Sequence, residues 1–322
     1  MQLRCRSGNT ESANRQLPAS TNGTPDASTL RMKPAVLPSP PPAPRRRAAA
    51  RAAAAPRGGV DLPGTAFGPA PHNAWTLRDG EVSLVRRPLR PRPVRIDAQP
   101  QGITIDLARS MLVVVDMQND FCHPEGWFGQ KGISVKPMRK PIAVLQQLLP
   151  AWRAASGRVL WLNWGVRPDR LNLPASVLFK GKRSAGGVGY AERSPDDRGR
   201  SVVAGDWGAA VVDELVTAPA DITVFKHRLS GFWDNELDSL LRQQGITTLL
   251  YAGVNTDRCV FSTLQDAGFL GYDNVLLTDA CSTPSPAHVT RAIHFLVQQL
   301  HGFNATSASL LASLANLPEK SR

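Results

Sequence analysis

Three side chains suited to acid, cation and nucleophile chemistry each come after an apolar run in this chain. Asp116 closes "VVVD", Lys226 closes "VFK", and Cys259 ends "AGVNTDRC". A carboxylate can take a thiol proton, an ammonium can hold the resulting charges together, and a thiolate can attack a carbonyl carbon. A helix is expected to begin near Asp257, which puts Cys259 in its first turn. There the backbone N–H groups and the macrodipole favour a thiolate, and the same N–H groups can hold an oxyanion. A neighbouring lysine favours the thiolate further. Taken singly, each residue has a plainer reading. Asp116 can cap a turn, Lys226 can be a solvated strand-end lysine, and Cys259 can be a small buried thiol. The chemical reading rests on all three meeting at strand ends.

The elements that would bring them together are legible as short apolar runs. Met111–Val115, Arg158–Asn163, Ile222–Phe225, Thr247–Ala252 and Asn274–Thr278 read as strands, with a sixth near Phe303–Ala305. Runs that are apolar throughout, with no alternation, suit a parallel sheet covered on both faces. Helical segments fall between them. "PIAVLQQLLPAWRAASG" stops at Gly157, with a kink expected at Pro150. "DWGAAVVDELVTA" reads as amphipathic. "DNELDSLLRQQG" carries Asp234 as its expected N-cap, and "SPAHVTRAIHFLVQQLHG" has Pro286 in its first turn and Gly302 past its end. The expected fold is α/β, a doubly wound three-layer sandwich around a central, mostly parallel six-stranded sheet. In such sheets ligands bind beyond the carboxyl ends of the strands, near a switch point. Lys180–Arg200 reads as a long polar loop of the kind that forms lids.

Charge is distributed unevenly. Of the 38 Lys and Arg, sixteen fall in residues 1–100, against six of the 26 Asp and Glu, so nearly all of the +12 net charge belongs to the front of the chain. Residues 1–58, rich in Pro, Ala and Arg, are expected to be a disordered basic tail. Other readings are an organelle transit peptide or an overcalled start. Residues 59–105 read as an extended arm, 106–313 as the folded domain, and 314–322 as a C-terminal tail. No apolar run approaches a membrane span. The four cysteines, Cys5, Cys122, Cys259 and Cys281, form no CxxC pair, which argues against a zinc site and against a disulfide framework. A cytoplasmic protein is expected.

"VVVDMQNDF", the lysine of "KHRLSGF" and "GVNTDRCV" resemble the isochorismatase-like cysteine hydrolase superfamily, from about Thr104 to Leu311. The ureidoacrylate amidohydrolase and N-carbamoyl amidase branch is the most similar, including in "DLPGTAFGPAPHNAWTLRDG" before the core. The resemblance implies an Asp–Lys–Cys triad, mapped here to Asp116, Lys226 and Cys259. It also implies a cis peptide at Val254–Asn255 that turns the Asn255 N–H toward an oxyanion, beside the Cys259 N–H. It implies a homodimer or homotetramer. The nicotinamidase branch carries a histidine metal site after its second strand; "NWGVRPDRLNLP" has no histidine, so no metal and no cofactor are expected, and His123 is not read as a ligand.

Secondary candidates surround the triad. Arg228 can clamp a substrate carboxylate or form a surface ion pair. Asn119 can orient Asp116 or the substrate, or satisfy a loop carbonyl. Asn163 can donate to a ureido group or sit in a turn. Trp233 reads as a pocket wall, and Trp127 as wall or core. His288, His294 and His301 read as ordinary surface or packing residues. The expected function is cysteine-dependent hydrolysis of a C–N bond in a small ureido, N-carbamoyl or amide substrate. The alternatives are an isochorismatase-type enol-ether hydrolase, against which Cys259 argues, and a catalytically idle domain whose Arg45–Arg47 tail binds nucleic acid. The nearly neutral folded part argues against the last.

Overall fold

Residues 64–105 pair largely with themselves in the computed structural model, which describes residues 64–193 and 198–317. β1 (Thr65–Phe67), β2 (Trp75–Arg78) and β3 (Glu81–Ser83) form an antiparallel meander. Asp79 and Gly80 close its second hairpin, and Gly80 takes φ +77, a left-handed conformation that glycine adopts without steric cost. β4 (Pro93–Ile96) pairs antiparallel with β6 (Ile103–Asp106), and between them β5 (Ala98–Gln99) joins the edge of the main sheet. The arm therefore carries local structure of its own. The expected tail over residues 1–58 lies outside the described residues, as does the end of the chain from residue 318.

β7 (Ser110–Val115) is buried at every position. Burial of each such aliphatic side chain stabilises the fold by roughly 1.5–3 kcal/mol relative to exposure. After it come α1 (Asn119–Cys122), α2 (Trp127–Gln130), α3 (Lys136–Ala154), β8 (Arg158–Trp164), α4 (Ala175–Lys182), β9 (Ile222–Lys226), α5 (Leu237–Gln243) and β10 (Thr248–Val254). A π-helical turn over Thr256–Val260 leads into α6 (Phe261–Phe269), then β11 (Asp273–Ser282), α7 (Ala287–Leu296), β12 (Phe303–Ala305) and α8 (Ser307–Ala315).

The sheet order is β5-β12-β11-β10-β7-β8-β9, and every pairing is parallel except β12 with β5. This is the expected mostly parallel sheet with a seventh strand added on its edge by the arm. From β7 the chain winds outward through β8 and β9, then returns to β10 on the other side of β7. Right-handed crossovers then place α3 on one face and α5, α6 and α7 on the other. α3 packs on β11, β10 and β8, and α8 packs beside it. The reversal between β7 and β10 is the topological switch point.

Two helical expectations change. Residues 206–218 form only a 3₁₀ turn at Trp207–Ala209, a bridge from Val211 to Gln118 and a second turn closed by the Leu215 N–H on the Val212 carbonyl (3.0 Å). The reason is competition for backbone. Gln118 Nε2 donates to the Ala209 carbonyl (2.7 Å), Asn119 N–H to the Ala210 carbonyl (3.0 Å), and Val212 N–H to the Met117 carbonyl (3.1 Å). Asp234 does not cap α5, which begins after Glu236; Asp234 takes φ +61 and faces Arg228. α3 contains both Pro141 and Pro150.

Candidate active site at the switch point

Asp116 stands immediately after the last residue of β7, and Cys259 lies five residues past the last residue of β10. The two strands close tightly here because of Gly253. A Cβ at that position would stand 2.1 Å from the Val115 carbonyl oxygen, and the residue takes φ +109. Asp116 itself takes φ +50, a left-handed conformation uncommon for a side-chain-bearing residue and concentrated at functional sites. That geometry turns its carboxylate inward at the strand end. The Val254–Asn255 peptide is cis.

Lys226, the last residue of β9, meets Asp116 with Nζ 3.0 Å from Oδ2. Both are sealed from water, Lys226 at 0% and Asp116 at 1% exposure, and Cys259 is 4% exposed. The Asp116 carboxylate and the Cys259 thiol are close enough to influence each other's charge. The three residues singled out from sequence are therefore brought together. Burial pushes the Asp116 carboxyl above the usual carboxylate range, against the pull of Lys226. The Cys259 thiol is pushed up to about 12, by burial first and then by the Asp116 carboxylate. This reverses the expectation of a thiolate favoured by a helix start. The neighbouring anion and the dry surroundings outweigh the lysine, so carboxylate and thiolate compete for one proton.

Residues not singled out beforehand complete the shell. Trp164 N–H donates to Asp116 Oδ1 (3.1 Å) and to Gln118 Oε1 (2.8 Å), and Gln118 Nε2 returns a bond to the Trp164 carbonyl (2.8 Å). Gln118 thus braces the strand end that holds Asp116. The indole Nε1 of Trp164 donates to Cys259 Sγ at 3.3 Å, and Lys226 Nζ stands over its ring at 4.3 Å. Tyr190, from the long loop, stacks on Trp164 at 5.0 Å and meets Trp127 at 5.1 Å. The parity of β8 is the sequence signal for Trp164: it is the last residue of the strand beside Asp116. Tyr190 offered no signal beyond its place in a long loop.

The secondary candidates scatter. Asn119 is buried and donates to the Trp207 carbonyl at 3.0 Å, its loop-satisfying alternative. Asn163 is buried with an unpartnered side-chain oxygen, and strand alternation puts it on the face of β8 opposite Trp164. Arg228 pairs with Asp234 (3.2 Å), its ion-pair alternative. Trp233 is 58% exposed and donates to Asp266 (2.7 Å), so it is no pocket wall. Trp127 is buried in the aromatic cluster under Tyr190. His123 meets Trp207 edge-on at 5.1 Å. Among the described residues no helix is long and apolar enough to cross a membrane.

A doubly wound sheet with an acid, an ammonium and a thiol buried at its switch point defines a class of α/β proteins with a thiol-centred site. The isochorismatase domain model matches residues 110–308, and the chain belongs to the isochorismatase family of hydrolases. It is similar to the crystal structure of a cysteine hydrolase from Pseudomonas syringae pv. phaseolicola 1448A, with 25% identity, 73% of this chain and 100% of that one covered, and a TM-score of 0.56. It is also similar to an isochorismatase family protein from Desulfovibrio vulgaris subsp. vulgaris str. Hildenborough, with 30% identity, coverage of 65% and 99%, and a TM-score of 0.52.

Proposed function

We propose that this chain hydrolyses a C–N bond of a small ureido, N-carbamoyl or amide substrate through a covalent intermediate on Cys259. The observation that carries the reading is the fully buried Lys226–Asp116 ion pair at 3.0 Å, joined through Trp164 to the buried Cys259 sulfur. The similarity to the Pseudomonas protein, a cysteine hydrolase by name, agrees with it.

The thiol is not ionised in bulk. Asp116 takes the Cys259 proton as the sulfur attacks the substrate carbonyl, and Lys226 keeps the site's charge balanced. The oxyanion of the tetrahedral intermediate is held by the Asn255 and Cys259 N–H groups. Asp116 then passes its proton to the leaving nitrogen, the C–N bond breaks, and an acyl or carbamoyl thioester remains. A water molecule gives a proton to Asp116 and attacks that thioester, and the proton returns to the sulfur as the product acid leaves.

A cavity of about 320 Å³ opens beside Tyr190, lined by Arg170, Phe179, Lys182, Arg183 and Glu192 among others. Glu192 pairs with Lys182 (2.8 Å) and Arg170 (3.3 Å), which leaves Arg183 outside that network. None of Asp116, Lys226 and Cys259 lines this cavity, which meets their site only through the Tyr190 stack on Trp164; its basic lining suits the approach of a substrate with a carboxylate substituent. The test is ammonia release from ureidoacrylate, N-carbamoyl amino acids, biuret and nicotinamide, with Cys259→Ala as the blank. Release from an acidic ureido or N-carbamoyl compound supports the reading. Release from none of the four, by folded protein, contradicts it.

A further inference from the structure

We infer that Trp164 is a catalytic residue that ties the three triad members together and sets where their shared proton rests. The inference rests on the cysteine-hydrolase reading above and deepens it.

One residue touches all three groups. Its backbone N–H donates to Asp116 Oδ1 at 3.1 Å, its ring lies under Lys226 Nζ at 4.3 Å, and its indole Nε1 donates to Cys259 Sγ at 3.3 Å. Topology explains why a side chain is needed for the last contact. β8 lies between β7 and β9, pairing Leu162 with Val115 and Trp164 with Lys226. β10, which leads to Cys259, lies beyond β7. The β8 backbone is therefore separated from the sulfur by a whole strand, and the indole spans that distance.

The chemistry of each contact differs. Asp116 and Cys259 cannot both be anions in a dry site beside one ammonium, so a single proton moves between oxygen and sulfur. The carboxylate is stabilised by Lys226 and by the Trp164 backbone N–H. The thiolate gains the indole N–H, a neutral donor that works only when the sulfur is charged or accepting. Removing that one hydrogen leaves Asp116 with its donors and takes one from the sulfur. The proton then rests more firmly on Cys259 Sγ, and the nucleophile is harder to form. A ring that merely packed against Tyr190 would have no such effect.

The test is the alkylation of Cys259 by iodoacetamide as a function of pH in the full chain, read at the Cys259 peptide by mass spectrometry. Trp164→Phe keeps the backbone N–H and an aromatic face but removes Nε1–H. The expected result is an upward displacement of the alkylation profile by about one pH unit, hence a rate roughly tenfold lower near neutrality. With a hydrolysed substrate, kcat falls while KM stays within about twofold. Should the smaller ring unfold the protein, 3-benzothienylalanine at position 164 keeps the shape of the indole without its N–H, and the same displacement is expected. An unchanged profile in either folded variant overturns the inference and reduces Trp164 to packing. That outcome leaves the triad reading intact, because the triad is tested by Cys259→Ala; turnover surviving in that variant overturns the triad itself.

Discussion

Two buried carboxylates at opposite ends of the sheet have opposite fates. Asp221 stands just before β9, at the amino end of the sheet; Asp116 stands just after β7, at the carboxyl end. Burial pushes Asp221 up, but Arg153 (3.1 and 2.5 Å), the Ala218 N–H (2.9 Å) and Trp161 Nε1 (2.9 Å) together hold it below the ordinary carboxylate range. For Asp116 burial wins, and its carboxyl lies above that range even with Lys226 alongside. A carboxylate with a full donor set keeps its charge and works as a clamp between α3 and the sheet. One buried more completely and placed beside a thiol can exchange a proton. Each end also uses a tryptophan N–H, Trp161 on an oxygen and Trp164 on a sulfur.

The sharpest way to break this comparison is to neutralise each carboxylate in turn. Asp116→Asn removes the proton acceptor, and kcat is expected to fall by roughly 10³–10⁴-fold with the circular-dichroism spectrum unchanged. Asp221→Asn is expected to cost about 1–3 kcal/mol of stability in urea unfolding, with kcat per folded molecule kept within about twofold. Variants with the two effects exchanged would contradict the assignment of roles.

The pH dependences should also differ in sign. Asp221 has a depressed folded pKa, so its contribution to stability is present above the unfolded value of about 3.9 and is lost as pH falls through the lower folded value. Asp116 has a raised one, so its contribution is present below the unfolded value and is lost as pH rises through the folded one. In its proposed role as base, however, it must be ionised. The acid limb of kcat/KM is therefore expected above the ordinary carboxylate range, falling as pH drops through the raised Asp116 value, and the urea midpoint of Asp221→Asn should lose its acid-side slope. The smallest effect belongs to Trp233→Phe. It breaks one exposed bond to Asp266 and should change stability by under about 0.5 kcal/mol, with kcat/KM within about twofold.

Much of the sheet was legible because parallel strands are apolar throughout and their lengths are short. The proposed triad was legible because ligand chemistry collects where such strands end, so Asp116, Lys226 and Cys259 stand out as the side chains of reactive type at or just past the close of three apolar runs. The misread elements had tertiary causes. Residues 206–218 have a helical pattern, but Gln118, Asn119 and Met117 claim their backbone groups. Trp233 lies close in sequence to Lys226, yet it points to α6 and solvent. The charge state of Cys259 could not be read from its address at a helix start, because the deciding influences are burial and a carboxylate from another strand. Tyr190 reaches the site from a loop whose path no local pattern encodes.

The central claim is that the Cys259 sulfur forms the covalent bond to substrate. Ammonia release by wild type and by Cys259→Ala, on whichever ureido or N-carbamoyl acid the wild type hydrolyses, tests it most directly. A loss of at least about 10³-fold is predicted, in a variant with an unchanged circular-dichroism spectrum and melting curve. Turnover within about tenfold of wild type in the folded variant would contradict it.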